Sequence, residues 1–260
     1  MGFFSIYDLG VQTETDGSLQ DVKALGLQRK DVWDMKWAED NNEIFAIMEK
    51  TRMYIFRDLA PQEPILSSAY ICSFVNLTIK TVLLDEVMRA PEFPKIDYLI
   101  SFETRSLRDA RDIFQTNMDN AVKYAKQHSH PRLWKLLAEI ALEQLNFQIA
   151  EISFVRCKDY MGIRFVKRLQ KLNDPKKQRA EVAAYFKKFD EAESAYLAMD
   201  RRDLAIDLRK RIGDWKRVLQ LYNSSSARDT KDNASLFNQK SSDALILEAC
   251  NKLGEYYIAR

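Results

Sequence analysis

"AEIALEQLNFQIAEISFVRC", residues 138–157, is echoed 42 residues later by "AEVAAYFKKFDEAESAYLAM", residues 180–199, and the two align without a gap. Ala138/Ala180, Glu139/Glu181, Ala141/Ala183, Phe147/Phe189, Ala150/Ala192 and Glu151/Glu193 are identical, while Ile140/Val182 and Phe154/Tyr196 keep size and character. Alanine at fixed helical positions lets two helices approach closely, and the recurring aromatic fills the gap to the next hairpin. Such a unit buries its apolar face only by stacking on a neighbour, so recurrence at a fixed period predicts an α-solenoid. A weaker third echo is "ACNKLGEYYIA", residues 249–259.

Helical periodicity extends outward from this pair, from about residue 104 to about 222. Leu133, Leu136, Leu137, Ile140, Ala141 and Leu145 follow the i, i+3, i+4, i+7 pattern of a buried stripe. Pro131 and Pro175 suit first helical positions, where the missing N–H costs nothing. "SLRD" (106–109) reads as a capping box with Ser106 as the cap, and Asp200 and Asp203 repeat the cap logic. The polar stretch 223–242 reads as a loop.

Upstream the pattern changes. "FFSIYDL" (3–9), "VKALGLQ" (22–28), "EIFAIME" (43–49), "MYIFRDL" (53–59), "AYICSFVNLTIKTVLL" (69–84) and "DYLISFE" (97–103) are β-like runs. Turn signals separate them, among them Asp16-Gly17 and Lys50-Thr51-Arg52. Short strands joined by tight turns predict antiparallel meanders. The expected organisation is α+β and multidomain, with β structure over 1–103 and an all-α solenoid over 104–260.

Composition narrows the function. Of 260 residues, only 7 are glycine and 6 proline, which argues against a phosphate-loop enzyme or a disordered chain. Cys72, Cys157 and Cys250 form neither a disulfide framework nor a zinc spacing, so a reducing compartment is expected. No apolar run reaches membrane-span length and "MGFFSIYDLG" lacks a secretory pattern, so a soluble cytosolic protein is expected.

The reactive residue types read as scaffold. His128 and His130 flank Ser129 before a helix, with no further ligand at metal spacing, and are expected as solvated loop histidines with His130 near the cap. Cys157 falls on the apolar stripe and is expected buried. Glu139 and Glu143 are expected on a solvated face, in ion pairs such as Lys135 with Glu139. Phe165, Tyr185, Phe186, Phe189 and Trp215 sit at core spacing. No nucleotide loop, catalytic triad or metal box is present, so neither enzyme activity, cofactor nor small-molecule substrate is expected.

Charge offers one candidate. Residues 156–217 hold 18 Lys+Arg against 10 Asp+Glu. Arg164, Lys167, Arg168 and Lys171 recur at helical spacing, and Arg209, Lys210, Arg211, Lys216 and Arg217 form a second cluster. An interaction surface for an acidic protein or anionic membrane is one reading, nucleic acid a less favoured one, and charged outer faces of solenoid helices the alternative.

The residues also carry a resemblance. "LQRKDVWDMKWAEDNNEIFAIMEKTRMYIFRDL" (27–59) resembles the closing part of a WD-repeat propeller in an intraflagellar transport complex A subunit. "HPRLWKLLAEIALEQLNFQIAEISFVRCKDYMGIRFVKRL" (130–169) and "AMDRRDLAIDLRKRIGDWKRVLQL" (198–221) resemble the start of its tetratricopeptide-like solenoid. The resemblance implies a non-catalytic scaffold in retrograde transport, cilium assembly and entry of ciliary membrane proteins. It implies complex A subunits as partners, with ciliary membrane cargo or an anionic membrane surface besides. The implied location is the cilium, including axoneme and basal body, and the cytoplasm. A coatomer-like vesicle coat shares the architecture and is the alternative. A propeller needs several blades of about 40–45 residues, and the first hundred residues supply about two. The chain is therefore expected to be an internal fragment or truncated form, with unpaired strand edges near residues 3–28.

Overall fold

A computed structural model of the chain describes residues 3–8, 23–226, 246–255 and 258. The Asp16-Gly17 turn and residues 227–245 lie outside the described residues. The chain divides into two compact units, residues 1–137 with 156–158, and residues 138–155 with 159–260.

Among the described residues of the first unit lie ten strands: β1 (Phe3–Asp8), β2 (Lys23–Lys30), β3 (Val32–Ala38), β4 (Asn41–Glu49), β5 (Arg52–Arg57), β6 (Ala60–Pro61), β7 (Ile65–Leu66), β8 (Tyr70–Val75), β9 (Thr78–Val82) and β10 (Leu99–Glu103). They form three antiparallel groups. The pair β1–β2 stands by itself, β3–β4–β5–β6 is a meander with β7 also on β5, and β8–β9–β10 is a second meander. This is blade-like, propeller-type β structure. Among the described residues β1 and β2 have no strand partner but each other, leaving an open edge on each.

β4 shows why simple alternation fails as a guide here. Its residues Ile44 to Met48 are all buried, because a central strand covered on both faces is apolar throughout. Phe45 and Ile47 pack with Phe56 of β5, the two rings stacked 4.9 Å apart, and β1 and β2 contribute Phe4, Ile6 and Leu27 to the same cluster. Side-chain to backbone bonds join the meanders. Asp34 accepts from Ile71 N–H at 2.7 Å, and Asp40 accepts from Asn76 N–H at 2.6 Å. The long run 69–84 is two strands, because Asn76 and Leu77 both take positive φ (55° and 60°) and turn the chain back on itself.

One short helix, α1 (Leu84–Arg89), is inserted between β9 and β10, and after Thr104 α2 (Arg105–Thr116), α3 (Met118–Gln127) and α4 (Pro131–Glu143) follow β10. Thr104, not Ser106, occupies the N-cap of α2, and Ser106 lies buried in the first turn with its Oγ 3.2 Å from Thr104 Oγ1. The strand runs straight into the helix, so the capping-box spacing is offset from the real start.

The second unit contains α5 (Phe147–Arg156), α6 (Tyr160–Gln170), α7 (Pro175–Tyr185), α8 (Phe189–Ala198), α9 (Arg202–Ile212) and α10 (Trp215–Ser226), and residues 246–255 are also helical. The first residues of the expected loop, 223–226, belong to α10. Asp174 caps α7 by accepting from Lys176 N–H at 2.9 Å, with Pro175 at the first position. Asp200 and Asp203 do not cap α9, whose N-cap is Arg201. Asp200 is left-handed (φ 57°) at the end of α8, and Asp203 pairs with Arg201.

The 42-residue echo is visible in the backbone. Leu145 and Lys187 are both left-handed (φ 58° and 61°), as are Lys158 and Asp200 (φ 59° and 57°). Asn146 N–H bonds Ala141 O at 2.8 Å and Lys188 N–H bonds Ala183 O at 3.0 Å. Asp159 N–H bonds Phe154 O at 3.0 Å and Arg201 N–H bonds Tyr196 O at 2.9 Å. Each is the long bond of a Schellman-type C-cap, which satisfies an otherwise orphaned carbonyl. The echo thus extends from α5 and α8 into the helices that follow them, α6 and α9. Ala150, Ala180, Ala192 and Phe154 are fully buried, and Tyr196 nearly so.

Candidate functional site

The nine candidate cations stand on three helices of the second unit. Arg164, Lys167 and Arg168 lie on α6 with Lys171 at its C-cap, Arg209, Lys210 and Arg211 in the last turn of α9, and Lys216 and Arg217 in the first turn of α10. Cations in a last turn face the negative end of the helix dipole, which alone favours them there.

Carboxylates hold six of the nine. Lys167 lies 3.7 Å from Glu151, Arg168 2.7 Å from Glu181, Lys210 2.9 Å from Glu248 and Arg211 3.1 Å from Asp207. Arg209 is not on a surface: it is buried, and its guanidinium reaches Glu193 and Asp190 at 2.5 Å and Asp214 at 3.4 Å. Arg217 forks onto the other side of Glu193, at 2.7 Å and 3.0 Å. Burial opposes ionisation of Glu193. Hydrogen bonds and charge from Arg217 and Arg209 overcome that penalty and hold the carboxyl below the usual carboxylate range. The cluster ties α8, α9 and α10 together. Among the described residues Arg164, Lys171 and Lys216 have no carboxylate partner.

Glu193 and its acidic companions Asp190 and Asp214 were not among the candidates, yet a signal was present. Glu151/Glu193 and Lys167/Arg209 both stand 42 residues apart, so the ion pair repeats with the fold.

Of the aromatic residues at core spacing, Phe165, Phe186, Phe189 and Trp215 are half-buried and Tyr185 is exposed; Phe165 and Tyr185 open onto a cleft of about 270 Å³ between α6, α7, α8 and α9, lined also by Arg168, Glu181, Tyr196 and Arg211. Phe165 and Tyr185 stack at 4.7 Å, and the Arg168 guanidinium lies over the Phe165 ring. Tyr196 donates to Glu181 at 3.1 Å, and burial together with the Glu181 charge raises its phenol pKa. These polar groups satisfy one another within the cleft.

The histidines differ from expectation. His130 is buried: its Nδ1 accepts from Arg132 N–H at 3.1 Å at the start of α4, and its Nε2 faces Asp40 at 3.3 Å. His128 is half-buried, its ring tilted against Tyr124 at 4.5 Å, with Nδ1 2.8 Å from the Arg57 guanidinium. Arginine can only donate, so Nδ1 of His128 accepts and the ring is neutral. Burial, then Arg57, lowers the pKa of His128. Burial also lowers that of His130, outweighing the opposite pull of Asp40. Cys157 is half-buried rather than buried, and Glu143 pairs with Lys188 at 3.6 Å. Among the described residues no group of His, Cys, Asp or Glu could hold a metal ion, and no helix is long and apolar enough to cross a membrane.

The comparisons with known proteins agree with this arrangement. Residues 1–103 match the model of the WDR35 second beta-propeller, and residues 133–232 match that of the IFT80/172/WDR35/WDR19 TPR domain. Across its whole length the chain is 50% identical to WD repeat-containing protein 35 of Homo sapiens, 50% to that of Rattus norvegicus and 49% to that of Mus musculus. It spans 21% of the length of these relatives. Propeller-type β structure, a TPR-like helical array and whole-chain identity together place the sequence: it belongs to the family of WD repeat-containing protein 35, over the second-propeller and TPR regions of that family.

Proposed function

We propose that the chain is a non-catalytic scaffold of intraflagellar transport complex A, acting by binding neighbouring subunits. The observation that carries the reading is 50% identity to WD repeat-containing protein 35 over the whole chain. The repeated helices support it, since a stacked array presents an extended surface and its polar clusters are spent on packing. In this reading the chain serves retrograde transport, cilium assembly and entry of ciliary membrane proteins, at the axoneme and basal body of the cilium and in the cytoplasm. Its partners are other complex A subunits, with membrane cargo or anionic membrane gathered by the assembly. The β part spans residues 1–103 and the solenoid 104–260. Of the basic residues, Arg164, Lys171 and Lys216 are the ones with charge available to a partner. Affinity purification of the tagged chain from ciliated cells tests the proposal. Recovery of complex A subunits and accumulation of the tag in cilia are expected; recovery of coatomer alone, with no ciliary signal, overturns it.

A further inference from the structure

The end of α5 and the start of α6 expose four large apolar side chains: Ile152 at 53%, Val155 at 55%, Tyr160 at 72% and Met161 at 68%. Ile152 and Val155 lie one turn apart on α5, and only Cys157, Lys158 and Asp159 separate that helix from α6. The inward faces are occupied otherwise, by Ala150, Ser153 and Phe154 on α5 and by Gly162, Val166 and Leu169 on α6. Packing therefore does not require the four outward residues.

The repeat supplies a control within the molecule. The positions 42 residues on are Ser194, Leu197, Arg202 and Asp203, of which only Leu197 is apolar, and it is half-buried. The same helix surfaces thus tolerate polar residues, and of these two repeats the first carries the apolar face. Exposed apolar side chains grouped beside polar ones mark an interaction site more often than scattered single ones do.

The charge beyond the apolar group selects the partner. The outward side of α6 continues from Tyr160 and Met161 to Arg164, Lys167, Arg168 and Lys171. Lys167 and Arg168 are already paired with Glu151 and Glu181, leaving Arg164 and Lys171. Two available cations give weak attraction to an anionic bilayer, where each contributes little and stable binding takes several. They suffice to orient a peptide whose carboxylates lie on one side of an apolar stripe.

We infer that the outward surface of α5 and α6 is a docking site for an amphipathic segment of a protein partner, its apolar side chains on Ile152, Val155, Tyr160 and Met161 and its carboxylates on Arg164 and Lys171. The inference rests on the scaffold reading, to which it adds the position and chemistry of one contact.

A display library of random peptides selected on the full chain tests it without any ciliary component, so its failure is distinct from failure of the purification above. Enriched peptides are expected to carry apolar residues at i, i+3 or i+4 spacing followed by Asp or Glu. Synthetic versions should bind about tenfold more weakly to the Ile152→Ser/Met161→Ser variant. Arg164→Glu should also weaken them and reduce their salt dependence. All these side chains are exposed, and unchanged melting of the variants serves as the folding control. The inference is overturned if no peptide enriches, if the enriched peptides are basic or bind the double variant equally well, or if phosphatidylserine vesicles bind the chain and displace them.

Discussion

Gly162→Ala sets two known effects against each other at one atom. Gly162 is a buried residue in the first turn of α6, its N–H capped by Asp159 at 3.0 Å. Alanine favours a helix interior by up to about 1 kcal/mol over glycine, which predicts stabilisation. A Cβ at this position, however, would stand 2.7 Å from Phe154 Cγ and closer still to Cδ1 and Cε1. Carbon atoms prefer about 3.5–4.0 Å, so the ring must retreat by roughly 1 Å. Phe154 is fully buried, so a displaced ring must push into packed neighbours. Overpacking of this kind costs about 1–3 kcal/mol. The clash should win, for a net loss of about 1 kcal/mol, or a lowering of the melting temperature by about 2–4 °C. Urea and thermal melts of the full chain followed by far-UV circular dichroism measure the effect. A double-mutant cycle identifies its cause: on a Phe154→Leu background, which leaves room beside residue 162, Gly162→Ala should become neutral or stabilising. A stabilising Gly162→Ala in the wild-type background, or the same loss on both backgrounds, would refute the steric argument.

Arg209→Met should cost about 3 kcal/mol in urea unfolding, because it strips Glu193 of half its compensation while leaving the carboxylate buried; Arg209→Met with Glu193→Met should restore much of the loss. Lys187→Gly should stabilise by about 1 kcal/mol, since Lys187 holds a left-handed φ of 61° that only glycine adopts without penalty. Gly213→Ala should destabilise by a similar amount through its φ of 82° alone, since nothing lies within 4 Å of the new Cβ to add a clash. Because folding lowers the pKa of both histidines, the unfolded chain takes up protons first on acidification. Their contribution is fully present above about pH 6.5 and is lost as pH falls below it. Thermal melts from pH 7.5 downward should show this decline, and His128→Gln with His130→Asn should flatten it.

The helical half was legible because its determinants are local and repeated. Alanine spacing, the recurring aromatic, and prolines 131 and 175 each name a position without reference to distant chain. The left-handed helix ends were not legible, because Leu145, Lys158 and Lys187 are residues that nothing marks for positive φ; the geometry is imposed by the C-cap bonds that close each turn. Ser106 is not the cap its spacing predicts, because the S-x-x-D pattern encodes a cap but not where the preceding strand stops. The histidines depart from their expected solvation for the opposite reason. Their partners Arg57 and Asp40 lie 71 and 90 residues away in sequence, on or beside strands, so burial and neutral charge arise only from tertiary packing.

The basic segment shows the limit most clearly. An excess of cations in sequence is a count, whereas availability depends on where the carboxylates fall. Lys167 and Arg209 occupy the same place in the two repeats and meet equivalent glutamates, yet one ion pair is largely exposed and the other is buried. Burial depends on whether a further helix packs over the pair: α10 brings Arg217 onto Glu193, whereas the corresponding place beside Glu151 is taken by Gln170 of α6 itself, at 3.3 Å. What two repeats share is therefore packing. What distinguishes them, here Tyr160 and Met161 against Arg202 and Asp203, is the part that packing leaves free to vary, and that is where the docking site inferred above lies.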